Sequence, residues 1–389
     1  LINTAGGLTG GDVMRADLTV DGGAAAFTTQ AAEKLYRASA GVAEVATTLS
    51  VAAGAQAVVA LGGGAAIDLA KAVAGLAPAT RPMLDHLEVV GGGLPLEAEP
   101  LPVVALPTTA GTGAEVTRNA VIGVPAHRRK VSLRDPRLMP RLAIVDPALS
   151  SGAPRAVTLA SGLDAVTQVI EPYLSARATA MTDALVAPAI PLGLSALVRL
   201  MRGEDRSARE AMAYVGLVGG LALSNAGLGA VHGFAGVLGG RTGAAHGAIC
   251  GRLLPFVLAM NERLTAEAVG DASTRVSTSA SARASARAAA RLPAVRAALA
   301  GALGCAPGAA FTTLAAWARD QGLASLAAMG HARRASATGG DGDPLGEDRA
   351  VAEASLAASS MKANPVALGV EDLMAVLATE RAEAEGGSP

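Results

Sequence analysis

His232 and His246, two of the chain's five histidines, lie fourteen residues apart in one glycine-rich stretch, Gly229-Ala-Val-His232-Gly-Phe-Ala-Gly-Val-Leu-Gly-Gly-Arg-Thr-Gly-Ala-Ala-His246-Gly. Upstream, Asp164 and Gln168 sit four apart at what reads as a helix start, a spacing that puts both on one helical face. Four nitrogen and oxygen donors in an otherwise aliphatic chain are the makings of a divalent-metal site. A single histidine on an apolar helix is more often a satisfied core residue. Two flanked by glycines, with a carboxylate nearby, shift the reading toward metal. Imidazole plus carboxylate suits Fe(II), Zn(II), Mn(II) or Co(II) without choosing among them, whereas a closed structural zinc site more often uses thiolates. His86, His127 and His331 have polar or loop neighbours and are expected in solvent.

Two further stretches carry chemistry. Gly62-Gly63-Gly64-Ala-Ala-Ile-Asp68-Leu-Ala-Lys71 follows a short apolar run. Its glycines let backbone amides approach an anion, and the helix start that follows adds partial positive charge, so a pyrophosphate is the expected guest. A tight strand-to-helix turn explains the triple glycine equally well. Pro107-Thr108-Thr109-Ala-Gly111-Thr112-Gly113-Ala-Glu115 follows a second apolar run and offers hydroxyls and glycines for phosphate, ribose or amide recognition. The plain alternative is an N-capping loop. Two such loops after consecutive strands favour a nucleotide. With a divalent metal they suggest hydride transfer, in which the metal polarises an alcohol or carbonyl oxygen and a nicotinamide carries the hydride. Phosphoryl transfer is the competing class, and neither loop has the Gly-x4-Gly-Lys-Ser/Thr form.

These residues need elements to hold them. Residues 16–20 and 24–29 look like short strands, and 57–61, 101–106 and 142–145 like buried parallel strands, with a helix over 65–71. After Ala153 the pattern turns helical, over about 161–175, 178–201, 207–226 and 229–240. The Ala/Ser/Arg-rich stretch 272–303 favours a solvent-facing helix, and 338–344 a surface loop. The fold expected is α/β plus all-α: a truncated parallel-sheet nucleotide-binding domain over 57–152, a helical metal-binding domain over 153–382, a β-rich fragment over 1–56 and a tail over 383–389.

Length and composition bound the partners. The chain has 389 residues, enough for two or three domains. Half are hydrophobic but only 2% aromatic, so the core must be built from closely packed small aliphatic side chains. The net charge of −1 gives no basic stripe, which argues against nucleic acid. Two distant cysteines cannot form a disulfide framework and fit a reducing cytoplasm. No uninterrupted run of about 18 apolar residues occurs, so no transmembrane helix is expected, nor a signal peptide. A cytoplasmic homodimer acting on a small alcohol or carbonyl compound is the expected form.

Residues 57–382 resemble the iron-containing alcohol dehydrogenase family. The resemblance is carried by Gly62–Lys71, Pro107–Glu115, Gly162-Leu-Asp-Ala-Val-Thr-Gln-Val-Ile-Glu-Pro-Tyr173, the His232–His246 stretch and Met361-Lys-Ala-Asn-Pro365, all in order. It implies an α/β nucleotide domain followed by a helical domain, NAD or NADP as cofactor, and Fe(II) or another divalent ion such as zinc. It places Asp164, His232 and His246 on the metal ligands, with catalysis centred there. It places Gly62, Gly63, Gly64, Asp68, Thr108, Thr109, Thr112 and Lys130 on or beside cofactor positions. Three departures stand out. Gln168 occupies the place of a third histidine ligand, and an amide oxygen is a poorer donor, so metal affinity should drop. Gly236 replaces a further, non-ligand histidine, and Ala65 replaces a serine of the phosphate loop.

Thr4-Ala-Gly-Gly-Leu-Thr-Gly-Gly-Asp12 and Thr28-Thr-Gln-Ala-Ala-Glu-Lys-Leu-Tyr-Arg37 instead resemble urease accessory protein D, a nickel-insertion partner, over residues 1–56. The chain thus reads as a fusion or a mis-joined gene, with the join near Ala53–Gln56. The alternative function this implies is a urease accessory fragment, with the other urease accessory subunits as partners. A parallel sheet without its leading strands exposes an edge, and the urease-like strands are not expected to complete it in register. Cofactor affinity is therefore expected to be weak or absent.

Overall fold

Val58–Gly62 and Val103–Pro107 each alternate buried and half-buried residues, which is the pattern of strands inside a covered sheet. The computed structural model describes the backbone of residues 13–20, 26–29, 44–51, 56–127, 129–274, 279–331 and 344–386. In chain order the strands and helices are β1 (Val13–Val20), β2 (Ala26–Thr29), β3 (Glu44–Val51), β4 (Val58–Gly62), α1 (Gly64–Leu76), α2 (Met83–His86), β5 (Val103–Pro107), β6 (Asn119–Val124), β7 (Arg129–Arg134) and β8 (Leu142–Ala143). The helical series follows: α3 (Arg155–Leu174), α4 (Ala180–Val186), α5 (Ala189–Leu200), α6 (Arg206–Ala226), α7 (Ala230–Thr242), α8 (His246–Thr274), α9 (Ala280–Leu303), α10 (Ala310–Asp320), α11 (Pro344–Leu356) and α12 (Val370–Ala384).

The chain divides into two units. The first comprises residues through Thr109 with Ala114–Ile122 and Val131–Ser150; the second comprises Ala110–Gly113, Gly123–Lys130 and everything from Ser151 onward. The first unit is built on a parallel sheet ordered β2-β4-β5-β8. Val58, Ala60, Val103 and Ala105 pack with Ile67, Ala70 and Ala74 of α1 to form its core. The expectation of an unfilled sheet edge is corrected here: Ala26–Thr29 pairs in parallel with Val59–Gly62. The unpaired N–H and C=O groups of β4 are satisfied by any extended segment in reach, and the bonding is through backbone alone. β1 and β3 form a separate parallel pair, and β6 and β7 a third sheet that the sequence reading did not foresee. The rest of the urease-like stretch, including Thr4–Asp12 and Gln30–Arg37, lies outside the described residues.

In the second unit α3 is the central element. It begins after Pro154 and runs 20 residues, with Leu163, Val166, Val169 and Ile170 fully buried. Asp164 is therefore mid-helix and not at a helix start, because the preceding proline sets the true beginning nine residues earlier. α5, α6, α8 and α9 pack around it in a core made largely of Ala, Val and Leu. The expected 178–201 helix is broken between Val186 and Ala189, at Pro188. By length and composition alone Ala180–Leu200 could cross a membrane, although polar residues interrupt it. In the fold Ile190, Leu194 and Leu197 are buried in this unit's core. α7 ends at Gly243, whose left-handed backbone (φ 73°) closes the helix by donating its N–H to Gly239 O and turns the chain into α8. Of the 338–344 loop expected from sequence, 338–343 lie outside the described residues and Pro344 instead opens α11.

Candidate metal centre

Three helices deliver the cluster. Asp164 comes from the middle of α3, His232 from the first turn of α7, and His246 opens α8 immediately after the Gly243 turn. Asp164 Oδ1 lies 3.4 Å from His232 Nε2 and 3.9 Å from His246 Nε2, and the two imidazole centroids are 5.3 Å apart. The helix-and-turn geometry expected from the fourteen-residue spacing is what brings the rings together. Cys250, one turn beyond His246 on α8, joins them: one donor atom from each of Asp164, His232, His246 and Cys250 lies within 4.8 Å of the others. Cys250 was not among the residues singled out by sequence, although the His246-x3-Cys250 spacing puts both on one helical face.

Buried polar atoms normally find partners. Asp164 Oδ1 and His232 Nε2 are buried without a hydrogen-bond partner, and both face this cluster. That is the signature expected where a cation, not a hydrogen bond, satisfies the lone pairs. The second nitrogen of His232 is fully committed: Nδ1 lies 2.6 Å from Glu171 Oε2, while Glu171 Oε1 accepts from Val231 N at 2.7 Å. A carboxylate behind a ligating imidazole fixes the ring orientation and leaves Nε2 to face the metal. Glu171 lies seven residues after Asp164 on α3, a spacing that returns to the same face and was the available sequence signal.

Electrostatics agree with a site for positive charge. Burial would raise the Asp164 carboxyl, but the neighbouring His232 and His246 rings hold it below its usual value. Burial favours a neutral His232, yet the Asp164 and Glu171 carboxylates beside it hold it well above the ordinary imidazole value. Burial lowers His246 to about 4, leaving its ring neutral and its lone pair available. Burial also raises the Cys250 thiol to about 12.

Gln168 shares the α3 face of Asp164, as expected. Its Nε2 donates to Thr112 O at 3.0 Å and Gly111 O at 3.3 Å. The amide thus ties the Thr/Gly loop to α3. Lys130 lies alongside α7, close to Gly239, and its charge acts on His246. Burial lowers its pKa. At Gly236 a Cβ would meet no atom within 4 Å, so the place of the family's further histidine is open space.

In the first unit, the two phosphate-type loops are neighbours. β4 and β5 pair so that Gly62 faces Pro107, and Thr108 N donates to Gly62 O at 2.9 Å. Gly63 caps α1 in an extended conformation with no side-chain cap, so the first N–H groups of the helix lack side-chain partners there. Gly62, Gly63, Gly64, Thr108 and Thr109 therefore stand together at the carboxyl ends of adjacent strands. Thr112 belongs to the second unit. Asp68 is occupied within the fold: Oδ1 pairs with Lys71 Nζ at 2.9 Å and Oδ2 accepts from Val121 N. Ala65 is exposed. Of the histidines expected in solvent, His127 is exposed, but His86 and His331 are buried. His86 bonds Leu94 O, Pro95 O and Glu97, and His331 Nε2 bonds Asp348 at 2.9 Å while its buried Nδ1 has no hydrogen-bond partner.

A cavity of about 640 Å³ is lined in part by Leu159 and Ala160 ahead of Asp164 and by Ala244, Ala245 and Ala248 around His246.

Comparison with known proteins places these features in a family. Residues 37–147 match the model of iron-containing alcohol dehydrogenases and residues 158–307 that of the C-terminal part of the Fe-containing alcohol dehydrogenase family. The first match begins some twenty residues before the join read from sequence, and overlaps a match of residues 1–60 to the UreD urease accessory protein. Lactaldehyde reductase of Escherichia coli (strain K12) is 39% identical over 218 residues, which is 56% of this chain and 56% of that protein. The NAD-dependent methanol dehydrogenase of Bacillus methanolicus is 41% identical over 207 residues, 53% of each. The chain thus spans about half the length of the curated relatives it matches. Among solved structures, a 1,3-propanediol oxidoreductase aligns with TM-score 0.64 and 27% identity over 87% of this chain and 85% of that one. An iron-containing alcohol dehydrogenase from Thermotoga maritima aligns with TM-score 0.62 and 25% identity over 85% of this chain and 75% of that one. The chain belongs to the iron-containing alcohol dehydrogenase family.

Proposed function

We propose that this member of the family is a metal-dependent, NAD(P)-linked oxidoreductase that interconverts a small alcohol and the corresponding aldehyde or ketone. The observation that carries the proposal is the pair Asp164 Oδ1 and His232 Nε2, buried without a hydrogen-bond partner and 3.4 Å apart beside His246. Asp164, His232 and His246 would hold the divalent ion, Fe(II) or zinc. Once bound, that ion supplies Lewis-acid polarisation of a substrate oxygen.

The chain's own residues supply the rest. Glu171 holds the His232 ring by Nδ1 and so aims Nε2 into the cluster. His246, with its pKa near 4, presents a neutral ring over the ordinary working range of pH. The glycine loop ahead of α1 and the adjoining Thr108–Thr109 hydroxyls suit the pyrophosphate and ribose of a dinucleotide. Weak cofactor binding was expected because the leading strands were missing; β2 at the edge of β4 removes part of that reason. The apolar cavity beside the first turn of α8 offers room for a small substrate.

The test combines metal analysis of protein purified without chelators with titration by NADH and NADPH, and aldehyde reduction assayed with each. Stoichiometric metal, lost in His246→Ala, and micromolar dinucleotide affinity support the proposal; unchanged metal content in His246→Ala refutes the ligand assignment.

A second reading, a urease accessory role through the front segment, rests on the match of residues 1–60. Co-purification with the other urease accessory subunits tests it.

A further inference from the structure

We propose that Cys250, and not Gln168, is the fourth protein donor of the metal centre, making the set Asp164, His232, His246 and Cys250. The inference rests on the metal reading above and concerns which side chain completes it.

Geometry favours the thiol. Cys250 is wholly buried, and its sulfur is one of four donor atoms that lie within 4.8 Å of one another. Tetrahedral ligands at zinc-type bond lengths are about 3.3–3.8 Å apart. The Asp164–His232 separation of 3.4 Å lies in that range and the Asp164–His246 separation of 3.9 Å is slightly longer, so the cluster must close a little to surround an ion. Cys250 and His246 are four apart on α8, whose backbone holds both on one face. Gln168 has other work. Its NH2 group bonds the carbonyls of Gly111 and Thr112, so only its amide oxygen, a weak neutral donor, remains for an ion.

Chemistry points the same way. A thiolate with one carboxylate neutralises a dication, and sulfur with imidazole suits zinc, cobalt or iron better than magnesium or manganese. On binding, the S–H bond breaks, the proton leaves to solvent, and the sulfur lone pair is donated to the ion. No electron is transferred. An exchange of imidazole for a neutral amide at Gln168 is thereby compensated by an anionic donor from the neighbouring helix.

Cobalt(II) titration of the full chain, stripped of metal, tests this. A thiolate-to-cobalt charge-transfer band in the near ultraviolet is expected in the wild type and in Gln168→Ala. The band should vanish in Cys250→Ser, with zinc affinity lowered at least roughly tenfold. Cys305→Ser leaves Cys250 as the only thiol, so a band in that variant assigns the sulfur even where Cys250→Ser fails to fold. Stoichiometric cobalt binding without a sulfur band, or a band that survives in Cys250→Ser, overturns the inference while the metal reading stands. Absence of any stoichiometric cobalt binding overturns both.

Discussion

Glu171 grips His232 at 2.6 Å through one carboxylate oxygen and the backbone of the adjacent Val231 at 2.7 Å through the other. One residue of α3 therefore fixes both the ring and the first turn of α7 that carries it. Replacing Glu171 by Gln keeps the shape but removes the charge behind the imidazole. Metal affinity should fall about 10–100-fold, a typical cost of losing such a partner. Competition of the purified variant against a chromophoric chelator measures this; an affinity equal to wild type would mean that Glu171 serves only the α7 backbone.

The pH dependence of metal binding follows from the same cluster. Burial disfavours a charged His232, but the Asp164 and Glu171 carboxylates outweigh it and raise its pKa well above the ordinary value. The protein without metal thus carries a proton that metal must displace. Raising the pH removes that proton and strengthens binding; lowering it weakens binding. Below about 4 His246 protonates as well, and affinity should fall more steeply. Zinc affinity measured across pH should rise monotonically through neutrality. A flat profile would contradict the assignment of His232 as a ligand.

How much of this was legible beforehand depends on how local each signal is. Asp164, His232 and His246 could be picked out because rare donors stand out in an Ala/Val/Leu chain, and the two glycine and threonine loops because they follow apolar runs. Glu171 and Cys250 were hidden by the same aliphatic background. Each is legible only through helical spacing, seven from Asp164 and four from His246, once the helices are known. His86 and His331 were misread as solvated because Glu97 and Asp348, eleven and seventeen residues away, bury and pair them. β6 was missed because Asn119–Val124 has no clean polar/apolar alternation, whereas β7 carried a legible one, with Val131 and Leu133 buried between Lys130, Ser132 and Arg134.

Lys71 shows the same limit and yields a third prediction. Its ammonium is fully buried, paired to Asp68 at 2.9 Å, and donates to Ala114 O, Asn119 O and Thr117 Oγ1. Lys71→Met leaves the Asp68 carboxylate without its cation, at a cost of about 3–5 kcal/mol. The Lys71→Met/Asp68→Asn pair removes the orphaned charge and should recover part of the loss. Urea denaturation of the wild type and the two variants measures it, and a Lys71→Met variant as stable as wild type would mean the pair is not a fold determinant.

Glu97 supplies an acid-sensitive clip. Its carboxylate accepts from Thr80 Oγ1 and from the backbone N–H groups of Thr80 and Arg81. The Thr80 hydroxyl and the Arg81 N–H lower its pKa from 4.5 to about 2. A carboxyl depressed on folding contributes stability above its unfolded value and loses it as the pH falls through the folded one. Glu97→Gln should therefore melt below wild type at neutral pH, with the gap closing between about 4.5 and about 2. Thermal melts across that range check it; a gap that does not narrow would assign the difference to packing.

The last prediction concerns how closely α8 must approach α3. Gly247 follows His246, and a Cβ placed there would lie 2.3 Å from Ala160 O and 3.0 Å from the Asp164 Cβ. The obstacle is backbone on the α3 side, which cannot rotate away as a side-chain tip would. Gly247→Ala must push the first turn of α8 outward, and that turn carries His246. The His246–Asp164 separation, already 3.9 Å, would then exceed what one ion can bridge. The variant should fold, because the deeper contacts of α8 through Leu253, Leu254 and Val257 remain. Its zinc affinity should nonetheless drop by roughly tenfold or more, comparable to losing a supporting residue. Gly236→Ala is the matched control, since its Cβ meets open space and metal affinity should be unchanged. Equal affinities in the two variants would show that the first turn of α8 is free to adjust, and that the close packing at Gly247 does not set the metal geometry.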